Sequence, residues 1–169
     1  MHIPDKISTY LNKRASTTWQ IENDYKKYFQ YIIVVPAIAE SETLPKFIKS
    51  LEKNDKLELH NTLLLIVVNN NVSSSEEVKD DNRKTLAYLR KIKSEVNISF
   101  IDACSAGKEM DDKNGGVGLA RKIGMDVGIE ANYLGLFSPN KTAIKFSDAP
   151  ESYVKALQNF SLLTNGYEG

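Results

Sequence analysis

Apolar and polar positions fall into blocks along this chain, and the blocks change period. Residues 31–35 read Tyr-Ile-Ile-Val-Val and are closed by Pro36. This β-branched run predicts a strand buried on both faces, as in a parallel sheet. Leu44, Phe47, Ile48 and Leu51 follow at helical spacing. They predict an amphipathic helix, with Ser41 or Thr43 as its cap and Pro45 in its first turn. A second apolar run over 63–68 ends in Asn69-Asn70-Asn71. Ser73-Ser74-Ser75 leads into a helix with Leu86, Leu89 and Ile92 on one side, decorated by Lys79, Arg83, Lys84, Arg90 and Lys91. A shorter third strand is predicted over 97–101 and a loop over 111–116. Leu119, Ile123 and Val127 mark the next helix. A fourth strand is predicted over 143–146, and a last helix carries Tyr153, Leu157 and Phe160.

Strands alternating with helices are the signature of an α/β domain with a mostly parallel sheet and helices on both faces. Residues 31–169 form that domain. Residues 1–30 are polar with scattered aromatics and predict a helical or irregular extension leaning on it. The chain of 169 residues is the size of one domain.

Composition narrows the partners. Lys plus Arg and Asp plus Glu each count 22, so the formal charge is zero. That gives no electrostatic footprint for nucleic acid. The single cysteine, Cys104, excludes an internal disulfide framework, and two histidines leave little for a His-rich metal centre. The longest apolar runs are far below the ~20 residues that span a bilayer. The N-terminus has no apolar signal core. These features predict a soluble, cytoplasmic domain, to which peripheral membrane association through another segment would not be foreign.

In open α/β sheets, ligands bind at the carboxyl ends of the strands. Here those ends are polar or glycine-bearing: Pro36-Ala37-Ile38-Ala39-Glu40-Ser41-Glu42 after the first strand, and Asn69-Asn70-Asn71-Val72-Ser73 after the second. Gly115-Gly116-Val117-Gly118-Leu119-Ala120-Arg121 opens the helix after the third, and Ser147-Asp148-Ala149 follows the fourth.

These segments, in this order, resemble those of the inverting family-two glycosyltransferases of GT-A fold. Val34-Val35-Pro36-Ala37-Ile38-Ala39-Glu40 is similar to that family's apolar run followed by Pro-Ala-Tyr-Asn-Glu. Asn69-Asn70-Asn71-Val72-Ser73 is similar to its Asp-Asp-Gly-Ser or Asn-Asn-Ser turn. Gly116-Val117-Gly118-Leu119-Ala120-Arg121-Lys122-Ile123-Gly124 is similar to its Gly-x-x-x-Ala-Arg-Asn-x-Gly helix. Phe146-Ser147-Asp148-Ala149 is similar to the start of its metal motif, and Pro150-Glu151-Ser152-Tyr153-Val154 to the Pro-x-x-Tyr-Leu that follows.

The resemblance covers residues 31–160. It implies a Rossmann-like nucleotide-binding fold and transfer of a sugar, with inversion, from a nucleoside-diphosphate donor, UDP-linked, to an acceptor hydroxyl on a saccharide or lipid-linked saccharide. It implies donor contacts from Pro36, Ala37, Glu40, Asn69, Asn70, Arg121 and Asp148. Asn69 or Asn70 would meet the pyrimidine edge, Glu40 a ribose hydroxyl, and Arg121 the diphosphate. Asp148 would help hold a magnesium or manganese ion that neutralises the departing diphosphate. The family's Tyr-Asn is Ile38-Ala39 here, the second Asp of the metal motif is missing, and no residue stands out as the catalytic base. Those departures fit an alternative: a non-catalytic nucleotide-sugar-binding or protein-interaction domain on the same scaffold.

Blander roles exist for the same residues. Glu40 suits a helix N-terminus, the asparagines suit a turn, Asp148 suits an N-cap and Arg121 a solvated helix face. Gly116-x-Gly118 lacks the third glycine of a dinucleotide fingerprint, and Gly107-Lys108 lacks the flanks of a P-loop. Cys104 reads as a small buried residue, and His60 as a loop residue.

Overall fold

The computed structural model of the chain describes residues 5–16, 18–22 and 29–134. The predicted fourth strand, the last helix and Asp148 lie outside the described residues. Within them the protein is an α/β fold. Three parallel strands, β1 (Tyr31–Ala37), β2 (Thr62–Asn69) and β3 (Asn97–Ala103), stand in the order β1-β2-β3. Five helices accompany them: α1 (Asp5–Arg14), α2 (Leu44–Leu51), α3 (Lys56–Asn61), α4 (Glu76–Leu89) and α5 (Val117–Leu134). The arrangement is consistent with a Rossmann-like fold.

Strand alternation sorts the sheet into two cores. Leu64, Ile66 and Val68 of β2 meet Leu44 and Ile48 of α2, Leu59 of α3 and Leu86 and Leu89 of α4 on one face. Leu65 and Val67 meet Ala120, Ile123 and Val127 of α5 on the other. Residues 63–70 are all buried, as expected of a strand paired on both edges and covered on both faces. Burial of each such aliphatic side chain contributes roughly 1.5–3 kcal/mol, so β2 anchors the domain.

The expectation that β1 is buried on both faces is corrected. Tyr31 and Ile33 are 51% and 43% exposed, because β1 pairs with β2 alone among the described strands. An apolar run does not say whether its strand has one neighbour or two. Nor does Pro36 end β1, which continues to Ala37. A proline without an N–H is tolerated where one edge needs no ladder bond. Residues 56–61, where His60 was expected in a loop, form α3. Asp55 caps it by accepting from the N–H groups of Leu57 and Glu58.

α5 lies unusually close to the sheet because small residues face it. A Cβ on Gly124 would stand 2.9 Å from Val67 Cγ2 and closer still to Val34 Cγ1. One on Gly128 would sit 3.5 Å from both Ile32 Cδ1 and Leu65 Cδ2. Four helix residues thus step past two strand residues, about 6 Å against about 6.6 Å, and α5 runs antiparallel to β1 and β2. Its N-terminus therefore stands at their carboxyl ends.

The N-terminal residues pack on the domain. Ile21 bridges Ile101 in antiparallel sense, and Glu22 N–H donates to Phe100 O, so this segment lines β3. Trp19 leans on the α5-side core and donates to Lys108 O. α1 is held to α5 through Asp126, which is 1% exposed and accepts from Tyr10 Oη, Ser16 N–H and Lys122 Nζ. Burial, and then the bond to this carboxylate, push the Tyr10 phenol upward.

Candidate functional site

The carboxyl ends of β1 and β2 are tied together by one side chain. Asn82 of α4 is 1% exposed. Its Oδ1 accepts from Ala39 N–H at 2.9 Å. Its Nδ2 donates to Asn69 O at 3.0 Å and to Asn70 Oδ1 at 2.9 Å. One turn of α4 thereby fixes both post-strand loops. Beside it, Asp81 accepts from Ser41 N–H and Ser41 Oγ. Ala39 takes a left-handed backbone, φ 53°, the conformation that asparagine tolerates and alanine resists.

The sequence-predicted residues divide between these loops. Pro36 and Ala37 close β1, and Ala37 is buried against α2 and α4. Glu40 accepts from Thr43 Oγ1, and its carbonyl accepts from Leu44 N–H, which places it at the entry to α2. Asn70 is fully buried, with Oδ1 bonded to Asn82 and Nδ2 donating to Asn71 O. It acts inside the scaffold. Asn69 differs: it is 3% exposed, yet its Oδ1 has no hydrogen-bond partner among the described residues. Leaving a buried acceptor unsatisfied costs about 1–3 kcal/mol, so an orphan at the tip of the central strand calls for a donor from elsewhere. Arg121 is exposed in the second turn of α5. Asp148 lies outside the described residues.

Sequence reasoning missed Asn82. Its signal was present, because Asn82, Leu86 and Leu89 share one stripe of α4, and a polar residue on an apolar stripe is a buried polar residue needing partners.

The third strand ends in a closed structural cluster. Asp102 is 4% exposed. Burial alone would raise its carboxyl, but bonds from Ser105, Cys104 and Lys108 outweigh that and hold it at about 2. Cys104 is 7% exposed, and burial followed by the Asp102 charge pushes its thiol up to about 12. A thiol so protonated is no nucleophile.

A groove of about 510 Å³ lies at the opposite end of the sheet, against Tyr31, Ile33, Leu57 and Thr62. It stands at the start of the strands, away from the polar loops. Among the described residues no three His, Cys, Asp or Glu side chains are placed to share a metal ion. No helix among them is long and apolar enough to cross a membrane.

No protein family, curated protein or solved structure matches the chain.

Proposed function

We propose that this protein binds a nucleoside-diphosphate sugar, UDP-linked, at the carboxyl ends of its parallel strands and acts as an inverting glycosyltransferase of GT-A type. The acceptor hydroxyl oxygen bonds to the anomeric carbon as the bond from that carbon to the diphosphate oxygen breaks; the nucleoside diphosphate leaves with the bonding pair, and the hydroxyl proton passes to solvent. The observation that carries the reading is Asn69: a buried amide oxygen without a donor among the described residues, at the tip of the central strand, next to loops braced by Asn82. An N–H on the edge of a pyrimidine base, or a ribose hydroxyl, supplies the missing donor. The left-handed backbone at Ala39 adds support, because the motif that residues 34–40 resemble carries asparagine there and that residue suits this geometry. Glu40 and Arg121 remain the candidates for ribose and diphosphate contacts.

A magnesium or manganese ion, which Asp148 would help to hold, belongs to the same reading and would neutralise charge on the diphosphate. The missing second aspartate of that motif favours a second reading, a nucleotide-sugar-binding or protein-interaction domain without turnover. Calorimetric titration with UDP, with and without manganese, followed by an assay of UDP-sugar hydrolysis, separates them. Binding tightened by manganese together with turnover supports the transferase. Binding without either supports the non-catalytic domain, and no binding discards both.

A further inference from the structure

We infer that the N-terminus of α5 is the subsite for the diphosphate of the bound nucleotide, held by backbone N–H groups. The first observation is the end of the helix itself. α5 has 18 residues, and its first satisfied N–H is that of Ala120, bonded to Gly116 O at 3.0 Å. The N–H groups of Val117, Gly118 and Leu119 have no partner among the described residues. Gly116, the residue before the helix, has no side chain with which to cap them and holds φ at 131°. A Cβ on Gly116 or Gly118 would meet nothing within 4 Å among the described residues, so those residues leave room around the first turn. Free N–H groups and the positive end of the helix dipole together favour an anion.

The second observation is independent of the helix. Asn69 pairs with Ala103, which belongs to the core under α5, so the Asn69 side chain stands on the face that α5 covers. The contact ladder places it: Gly128 lies over Leu65 and Gly124 over Val67, and the next step sets Ala120 over Asn69. Measured along the axis of α5, its orphan Oδ1 therefore lies within about one helical turn, ~5.4 Å, of these N–H groups. A single ligand that satisfies both carries an anion and, on the same molecule, a hydroxyl or N–H donor. A nucleotide does so, with its phosphates and its ribose or base. The acidic residues of the preceding loop are already engaged, Asp111 by Lys113 N–H and Asn114 Nδ2, and Asp112 by Ser73 N–H and Oγ.

This inference rests on the nucleotide reading for the identity of the ligand and on the helix end for its charge. The test is calorimetry on the whole chain in EDTA, with UDP, uridine and inorganic pyrophosphate as probes and Gly118→Asp as the variant. An aspartate in the first turn suits a helix, so the variant keeps its fold, which circular dichroism verifies, while its carboxylate occupies the anion's place. The expected result is a loss of at least tenfold in affinity for UDP and pyrophosphate, with uridine unchanged, while Gly118→Ala retains binding of all three. If UDP binds the wild type and Gly118→Asp equally, the diphosphate subsite is overturned and the nucleotide reading stands. If pyrophosphate binding is lost in Gly118→Asp but UDP binds no better than pyrophosphate, the anion site stands as one for free phosphates and the nucleotide reading fails. Absence of binding by every probe in EDTA overturns the backbone subsite, and the nucleotide reading falls with it if UDP also fails to bind in manganese.

Discussion

Replacing Gly124 with alanine tests whether α5 rests on the sheet as closely as the geometry requires. In an isolated helix the change is favourable by about 1 kcal/mol. Here the new methyl would stand 2.9 Å from Val67 Cγ2 and closer to Val34 Cγ1, where ordinary carbon contacts lie at about 3.5–4.0 Å. Both neighbours are β-branched, with little rotamer freedom, and both sit in strands, so the helix itself must lift. Overpacking of this kind costs about 3 kcal/mol at the upper end of its usual range. The net loss is about 2 kcal/mol, or roughly 4–8 °C in Tm for a chain of this size. Gly118→Ala is the internal control. Its Cβ meets nothing within 4 Å, so it gains up to about 1 kcal/mol and raises Tm by roughly 2–4 °C. Calorimetric melting of both variants decides the matter. If Gly124→Ala melts at or above the wild-type temperature, α5 does not lie against Val34 and Val67, and the site built on its N-terminus has no foundation.

Other consequences follow from the same packing. Asn82→Ala leaves Ala39 N–H, Asn69 O and Asn70 Oδ1 without their shared partner; at about 1–3 kcal/mol for a buried unsatisfied group, urea denaturation should record a loss of about 3 kcal/mol, and a loss below about 1 kcal/mol would contradict the hub role. Ala39→Gly removes the strain of a left-handed alanine and should stabilise by about 0.5–1 kcal/mol, with an unchanged denaturant slope. Asp102 sits at about 2, below its ordinary value of 3.8. Its bonds therefore favour the folded state fully above pH ~4, and that contribution is lost as pH falls towards 2. Asp102→Asn should be less stable at neutral pH and show a flatter loss of stability between pH 4 and 2; parallel acid profiles would count against the assignment.

Much of the scaffold was legible because its periods are long and regular. The runs over 31–35 and 63–68 and the stripes of Leu44/Ile48, Leu86/Leu89 and Ile123/Val127 became the strands and helices they predict. What failed was the part that depends on neighbours. Tyr31 and Ile33 read as interior because an aliphatic run carries no record of how many strands flank it. α3 went unread because six residues hold too little pattern, although Asp55 followed by Glu58 is a capping signal. The pairing of Ile21 with β3 involves one bridge and leaves no periodicity. For the candidate site, the polar strand ends were visible, but the division of labour was not. Asn69 and Asn70 are adjacent and identical in type. Only the alternation of β2 sends Asn70 towards Asn82 and leaves Asn69 unpartnered under α5.

The most direct test of a nucleotide cradle at the strand tips is a UDP titration followed by amide resonances of the isotopically labelled chain. The account predicts saturable shifts concentrated in residues 37–41, 69–71 and 115–120, with the amides around Tyr31 and Leu57 unmoved. Shifts confined to the groove at the start of β1, or none at millimolar UDP, would contradict it.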